Sequence, residues 1–181
     1  MKVDFKNYTK YLFYVVLVVC VVCVFTFNFV LYPLKYKNEI KTYSNEYNIE
    51  TSLVASVICN ESSFDENSKS KKGAIGLMQL MPSTAKWLCE KLGEEYDEQK
   101  LYTPEFNIKL GTYYLQYLKN KFEDTDTAIA AYNAGEGIVA AWLKNQEYSK
   151  DGKTLKSIPY QETSNYLTKV KRTVRFYKDR I

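Results

Sequence analysis

The sequence predicts an all-α, or nearly all-α, protein in which one apolar N-terminal helix precedes a helical domain. Residues 11–32 form an uncharged apolar run. Further along, apolar residues recur at three- and four-residue spacing, which is typical of helices with one buried face. No segment alternates strongly enough to predict a strand, and no internal repeat is present.

Residues 11–32 are predicted to cross a membrane. The run reads YLFYVVLVVCVVCVFTFNFVLY, with Thr26 and Asn28 as its polar interruptions. As a helix it would be about 33 Å long at ~1.5 Å per residue, enough for a hydrocarbon core of about 30 Å. Tyrosine at both ends fits the interfacial aromatic belt. Because no small-residue cleavage site follows, we interpret the run as a retained anchor.

The run divides the chain into a short cytoplasmic tail (1–10), the anchor helix (11–32), a juxtamembrane linker or helix (33–44) and a domain (45–181). Three lysines precede the run and three follow it, offset by Glu39. The positive-inside bias therefore barely discriminates between the two orientations. Since a short tail before a large domain ordinarily stays inside, we expect the domain on the extracytoplasmic side.

Apolar stripes and capping signals predict the helices of the domain. They are expected near residues 36–47, 51–60, 82–91, 103–122, 127–134, 138–143 and 162–180. Asp126 is the expected N-cap of the 127–134 helix, and Gly93 and Gly135 are expected stops. Residues 145–157 are polar and carry a turn signal.

Composition excludes several classes of function. The chain has 181 residues, 25 basic and 21 acidic, and this mild charge argues against nucleic-acid binding. It has no histidine, which excludes a histidine-based nucleophile triad and histidine-ligated metal. No metal or cofactor is expected. Cys59 and Cys89 could pair if the domain is exported, although two buried free thiols are the simpler interpretation.

Without histidine, acid/base chemistry must fall to a carboxylate, and Glu61 is the best-placed candidate. It ends a predicted apolar helix, where the helix dipole and partial burial would both raise the pKa of a carboxyl group. Asp65 and Glu66 could supply a second carboxylate, as in glycosidases that use two. Their polar loop makes solvated charges the simpler interpretation.

Two other segments carry polar groups beside glycines. In Gly73-Ala-Ile-Gly-Leu-Met-Gln79, two glycines allow close backbone approach. Met78 and Gln79 would then offer an apolar contact and an amide to an N-acetyl group. In Ala131-Tyr-Asn-Ala-Gly135 a polar Asn133 precedes a helix stop, which ordinary capping also explains. The surplus of 17 tyrosines suits a groove that stacks on sugar faces, or simply a core.

These motifs together resemble the soluble lytic murein transglycosylase catalytic domain, a goose-lysozyme-like family. The order is Glu61-Ser62-x-Phe64, then the motif around residues 70–85, then Asn107-Ile108-x-Leu110-Gly111-x-x-Tyr114-Leu115. Residues 131–135 and Ile158-Pro159-Tyr160-x-Glu162-Thr163-x-x-Tyr166 complete the set. The resemblance covers roughly residues 45–178.

The resemblance implies a lysozyme-like fold in which Glu61 is catalytic. It also implies a glycan groove lined by Ser70, Met78, Gln79, Asn133 and Tyr166, with Tyr132 and Ser62 in support. The implied activity is non-hydrolytic cleavage of peptidoglycan at the cell membrane, with the glycan strand and the membrane as partners. The alternatives are a lysozyme-type hydrolase on the same fold and a non-catalytic peptidoglycan-binding assembly factor.

Overall fold

A computed structural model describes residues 5–181, and the side chains of these except residues 5–7, 28, 29 and 31. The first four residues of the predicted tail lie outside this range. The chain divides between Leu34 and Lys35 into two compact units.

The N-terminal unit is one long helix. Helix α1 spans Phe5–Phe25 and continues as a π-helix over Thr26–Leu31. Its stretch Tyr8–Phe25 is long and apolar enough to cross a membrane, with a mean hydropathy of 2.2 and none of it buried within the protein. A π-helix has hydrogen bonds to the carbonyl five residues back, and here the Tyr32 amide donates to the Phe27 carbonyl at 3.1 Å.

The second unit is helical. Its α-helices are α2 (Lys37–Glu46), α3 (Thr51–Ser62), α4 (Pro82–Leu92), α5 (Pro104–Phe122), α6 (Thr125–Ala134), α7 (Glu136–Leu143) and α8 (Gln161–Tyr177). A 3-10 helix, Glu98–Tyr102, was not anticipated from the sequence. Within residues 5–181 β-pairing is confined to isolated bridges, from Ile75 to Lys69 and to Leu80.

The helix ends follow capping chemistry, with one correction. Proline opens α4 and α5, and Gly93 ends α4 in the left-handed conformation. The N-cap of α6 is Asp124 rather than the expected Asp126. The Asp124 carboxylate accepts bonds from both the amide and the hydroxyl of Thr127, at 2.8 and 2.6 Å. Asp126 lies instead inside the first turn of α6 and pairs with Lys171.

Helix α3 lies at the centre of this unit. Its residues Ser52–Ile58 are all buried, and α8 and α2 pack against it. A further apolar cluster joins α4 to α5, and another joins α5, α6 and α7. Tyr114 and Tyr132 contact both clusters. This packing directs the last turn of α3 to the surface between α6 and α8.

Candidate active site

Glu61 occupies the last turn of α3 and is partly buried. The buried run before it fixes the helix, so the carboxyl group projects from a rigid element. At this helix end the unpaired carbonyls carry partial negative charge, which disfavours a second negative charge. The position itself therefore favours a protonated carboxyl group.

The turn after α3 fixes where the helix stops. Ser63 and Phe64 both have left-handed backbones, with φ of 53° and 64°. Such residues cost on the order of 1 kcal/mol each outside glycine. Phe64 is fully buried and meets the Tyr177 ring edge-on, 6.1 Å between centroids. Burying a phenylalanine contributes about 2–3 kcal/mol, which offsets the strain and holds Glu61 in place.

Ser62 joins the end of α3 to the loop that follows. Its hydroxyl donates to the Leu77 carbonyl at 2.8 Å. Leu77 belongs to residues 68–80, which we call the bridged loop. Ser62 thus ties this loop to the end of α3, next to Glu61 in the sequence.

The bridged loop folds back on Ile75. The backbone groups of Ile75 and Leu80 exchange two hydrogen bonds, at 2.9 and 3.0 Å, and the Gly76 amide donates to the Ser68 carbonyl. The Ser70 hydroxyl accepts from the Ala74 amide at 2.9 Å and closes a turn at the start of the loop. In this structure Ser70 shapes the loop, and it is not among the residues lining the two cavities beside Glu61 described below.

Asn107, in the first turn of α5, holds the same loop through hydrogen bonds of its side chain. It is fully buried, and its amide nitrogen donates to the carbonyls of Ile75 and Leu101 at 3.0 and 2.7 Å. Gly76 lies so close to this amide that a Cβ there would sit 2.2 Å from the nitrogen, and its φ is +79°. Glycine is therefore required at this position by both contact and conformation.

Met78 was expected to line the groove, and the structure places its side chain in the core. Its side chain is fully buried against Gly111, where a Cβ would lie 2.3 Å from the Met78 sulfur. The exposed methionine is Met81, which comes directly after the bridged loop, is 40% exposed and lines a cavity together with Asn133. Met78 contributes through its backbone, since its carbonyl accepts from the Tyr132 hydroxyl at 2.7 Å.

Gln79 lines that same cavity in a left-handed conformation, φ 48°. Its side-chain nitrogen donates to the carbonyls of Ser68 and Gly76, at 3.1 and 2.9 Å. Because carbonyls only accept, both amide hydrogens are committed and the amide orientation is fixed. Among the described residues no group donates to the Gln79 side-chain oxygen, so this atom is the acceptor available to a ligand.

Asn133 and Tyr132 close the groove from the end of α6. The Asn133 oxygen accepts from the Thr163 hydroxyl at 2.8 Å, which ties α6 to α8 and fixes the Asn133 amide. Tyr132 is held by its bond to Met78, and burial together with the nearby Glu61 charge raises its pKa well above the usual value.

Glu61 has the perturbed acidity that its position predicts. The pKa of its carboxyl group is raised to about 7, mainly by burial; the Tyr166 hydroxyl opposes this shift, and the nearby Glu162 carboxylate adds to it. Tyr166 is 8% exposed. Within residues 5–181 its hydroxyl has no partner at standard hydrogen-bond geometry, so this buried donor is available to a ligand or to Glu61.

Two adjoining cavities contain these groups. The Glu61 cavity, about 290 Å³, is lined by Asn60, Glu61, Asn133, Glu162, Asn165, Tyr166 and Lys169. The Gln79 cavity, about 230 Å³, is lined by Gln79, Leu80, Met81, Thr84, Tyr114, Tyr132, Asn133, Ala134 and Gly135. Asn133 lines both, so they form one groove beside Glu61.

A larger recess of about 490 Å³ lies between Tyr43 and Lys109. Several of its polar groups are already paired, because Lys109 bonds to Glu94 and Tyr43 donates to Glu105. We therefore assign the candidate site to the Glu61 groove despite its smaller volume.

The comparison with protein families decides the assignment. A family model described as the transglycosylase SLT domain matches residues 38–156. The chain belongs to this family. The resemblance seen in the sequence motifs is thereby confirmed.

Curated relatives of this SLT domain carry related names. It is 36% identical over 151 residues to the soluble lytic murein transglycosylase of Escherichia coli strain K12, covering 81% of this chain and 23% of that protein. It is 31% identical over 166 residues to the membrane-bound lytic murein transglycosylase C of Haemophilus ducreyi, covering 79% and 45%. The chain thus spans 23% and 45% of the length of these two relatives.

Solved structures agree with the helical fold. The 70 kDa soluble lytic transglycosylase of Escherichia coli superposes with a TM-score of 0.72 at 32% identity, covering 82% of this chain and 25% of that one. The lytic transglycosylase of Pseudomonas aeruginosa, solved as an inactive glutamate-to-glutamine mutant, gives the same TM-score at 31% identity, covering 82% and 24%. The predicted all-α, lysozyme-like fold class is confirmed.

The carboxylate nearest Glu61 in this SLT domain differs from those weighed in the sequence. Asp65 is exposed and accepts from the Asn67 amide, and Glu66 accepts from the Tyr36 hydroxyl at 2.8 Å. Both line a separate cavity with Tyr36. Glu162 lines the Glu61 cavity. In the sequence it was recognised as part of the last motif but was not predicted to be a site residue. Its membership of the last motif, with Tyr166 one helical turn later, was the available signal.

The described residues contain neither a disulfide nor a cluster of side chains suited to a metal ion. Among residues 5–181, Cys59 and Cys89 are not disulfide-bonded, and Cys89 is fully buried in the cluster that joins α4 to α5. Burial raises the pKa of both thiols. Residues 5–181 contain no group of three or more Cys, Asp or Glu side chains placed to hold a metal ion.

Proposed function

We propose that the chain is a membrane-anchored peptidoglycan lytic transglycosylase. It would cleave the β-1,4 bond between N-acetylmuramic acid and N-acetylglucosamine and leave a 1,6-anhydromuramyl end. The family and the names of the relatives support the reaction class. The observation that carries the proposal is Glu61, a rigidly held carboxyl group in a groove with its pKa near 7.

Glu61 would act first as a general acid. A pKa near 7 leaves a large protonated fraction near neutrality, which suits proton transfer at that pH. The proton passes to the glycosidic oxygen as the bond from this oxygen to C1 breaks. Charge developing on the muramyl ring is relieved by the N-acetyl group of the substrate itself.

The ionised Glu61 would then act as a base. It removes the proton of the muramyl C6 hydroxyl while O6 bonds to C1, which closes the anhydro ring and restores the protonated carboxyl group. One carboxyl group suffices because the substrate supplies the nucleophile. This sequence needs no histidine and no metal.

The remaining groove residues would hold the acetylated sugars. The Gln79 oxygen offers a fixed acceptor, suited to an amide N–H of an N-acetyl group. The fixed Asn133 amide and the unpartnered Tyr166 hydroxyl offer donors. Ser62, Ser70, Met78 and Tyr132 would act by shaping the loop and the wall of the groove.

A lysozyme-type hydrolase on the same fold is the nearest alternative, with Asp65 or Glu66 positioning a water. The cavity that these two line does not contain Glu61, which favours the transglycosylase. Mass spectrometry of products released from purified peptidoglycan by the full-length protein tests the choice. We expect anhydro ends, absent with Glu61→Gln. Reducing ends would overturn the proposal in favour of the hydrolase.

A non-catalytic binding protein for cell-wall assembly is the other alternative. It predicts that Glu61→Gln leaves the cell-wall phenotype intact while deletion of the protein does not. A raised pKa on a groove carboxyl group has no use in pure binding and favours the enzyme.

We further propose that residues 11–32 anchor the protein, with residues 1–10 in the cytoplasm, a juxtamembrane segment at 33–44 and the catalytic domain of residues 45–181 on the cell-wall side. The apolar helix and the membrane-bound name of one set of relatives support the anchor. A reporter that is active only outside the cytoplasm should be active when it is fused after Ile181. A cytoplasmic reporter would refute both the topology and the substrate assignment.

A further inference from the structure

The groove continues beyond the Gln79 cavity into a third recess. Thr84 and Tyr114 line both the Gln79 cavity and this recess. Its other lining residues are Ser83, Trp87, Lys91, Tyr117 and Glu136, and its volume is about 430 Å³. It is therefore the largest of three successive parts of one surface that begins at Glu61. We call it the Trp87 recess.

Its floor is a set of interlocked aromatic rings. Trp87 meets Tyr117 edge-on with centroids 4.8 Å apart, and Tyr114 at 6.4 Å. Tyr114 in turn contacts Tyr132, whose hydroxyl is bonded to the bridged loop. The rings restrict one another, so a ligand that stacks on them orders little that is not already fixed.

Polar groups surround these rings. The Lys91 ammonium lies 5.8 Å from the centre of the Trp87 ring. Glu136 is held by Lys121 at 2.9 Å, and Ser83 and Thr84 add hydroxyl groups. Aromatic faces combined with a few hydrogen-bonding groups suit a pyranose ring, which has an apolar C–H face and hydroxyls around its edge.

Most residues that line the recess lie outside the motifs that identified the family. Trp87, Lys91, Tyr117 and Glu136 are all absent from the ordered motif set. Their neighbours Thr84 and Tyr114 belong to it. The catalytic groove thus meets a sugar-compatible surface built from residues outside the motifs.

We infer that the Trp87 recess is a distal subsite that binds an N-acetylated sugar ring of the same glycan strand, several rings from the bond cleaved at Glu61. The inference rests on the proposed function. Its consequence is a preference for strands long enough to fill the Glu61 cavity, the Gln79 cavity and the recess together. Short fragments that occupy only the first two would bind more weakly.

Calorimetric binding tests this in the full-length Glu61→Gln protein in detergent micelles, with peptide-free tetra-, hexa- and octasaccharides of the alternating glycan. Affinity should rise with length. Adding Trp87→Ala should weaken octasaccharide binding about tenfold, equivalent to ~1.4 kcal/mol, with little change for the tetrasaccharide. Trp87→Phe, which keeps an aromatic face, should restore most of the length preference.

Two further variants keep the test decisive if Trp87→Ala fails to fold. Lys91→Ala at the rim should weaken octasaccharide binding selectively, whereas Lys86→Ala, exposed on the same helix, should not. An equal loss at every length would overturn the subsite, because it indicates a purely structural role. So would an effect confined to peptide-bearing glycan, which would assign the recess to the stem peptide.

Binding is measured without turnover, so it separates from the proposed reaction. If wild-type protein releases no anhydro ends yet the length preference depends on Trp87, the subsite stands and the reaction fails. If anhydro ends appear but affinity is independent of strand length, the reaction stands and the subsite fails.

Discussion

Asn107 holds the backbone of Met78 at the edge of the groove: its side-chain oxygen accepts from the Met78 amide at 2.8 Å. The two residues lie 29 positions apart. With its two donated bonds, Asn107 satisfies three backbone groups of the surrounding loops. The shape of the candidate site therefore depends on one fully buried amide.

Replacing Asn107 with alanine should destabilise the fold and abolish activity. It leaves three backbone groups without their partner, at an expected cost of about 2–4 kcal/mol in the free energy of unfolding. Chemical denaturation followed by tryptophan fluorescence measures this. Asn67→Ala, at an exposed position just before the bridged loop, is the matched control and should change stability by less than about 0.5 kcal/mol.

Gly76→Ala and Gly93→Ala should differ sharply although both glycines have positive φ. At Gly93 a Cβ meets nothing within 4 Å, so the cost is backbone strain of about 1 kcal/mol. At Gly76 the Cβ meets Asn107 and the Leu101 carbonyl at 2.2 and 2.3 Å. The melting temperature should fall much further for Gly76→Ala, and equal shifts would contradict the packing described for the loop.

The value of kcat/KM should fall as pH rises through about 7, because the free enzyme needs a protonated Glu61. Glu162→Gln removes a neighbouring negative charge and should move this limb to lower pH. Tyr166→Phe removes a hydroxyl that lowers the Glu61 pKa and should move it to higher pH.

Because Glu162 is exposed, its effect should shrink at high salt, whereas the shift caused by burial should persist. Rates measured on soluble glycan at two ionic strengths separate the two causes. Shifts of the same sign in both variants would contradict the proposed environment of Glu61.

The free energy of unfolding should also depend on pH through the raised pKa of Glu61. The folded pKa of Glu61, about 7, exceeds its ordinary value of 4.5, so protonation favours the folded state. This contribution is complete below the ordinary value and disappears as pH rises through about 7. From acid to mildly alkaline pH, wild type should lose up to about 3 kcal/mol relative to Glu61→Gln. If the difference in free energy of unfolding between wild type and Glu61→Gln were the same at both pH values, the raised pKa would be excluded.

Periodicity and capping predicted the helices because these signals are local. The proline that opens α5 and the glycine that follows α4 act within one turn, so their effects are visible in the sequence. The N-cap of α6 was misassigned because Asp124 and Asp126 both precede the predicted start, and only the hydrogen bonds to Thr127 distinguish them.

The candidate site was less predictable wherever distant contacts decide it. Glu61 could be chosen as the candidate because its position at a helix end and the absence of histidine from the chain are both visible in the sequence. Met78 and Met81 lie close together in the sequence, and Met78 is the buried one because it packs against the distant Gly111. Glu162 lies a hundred residues from Glu61 in sequence, so its place beside Glu61 required the packing of α8 on α3.

The second unit closes on itself, because the Lys37 ammonium donates to the Arg180 carbonyl at 3.0 Å. A short artificial linker from Ile181 back to Lys35 would therefore span little distance, and the chain could be reopened in the segment between α7 and α8. In such a circular permutant α8 would precede α3 in sequence. Glu61, Glu162 and Tyr166 would keep their neighbours, since contacts across the fold rather than the order of the polypeptide assemble this groove.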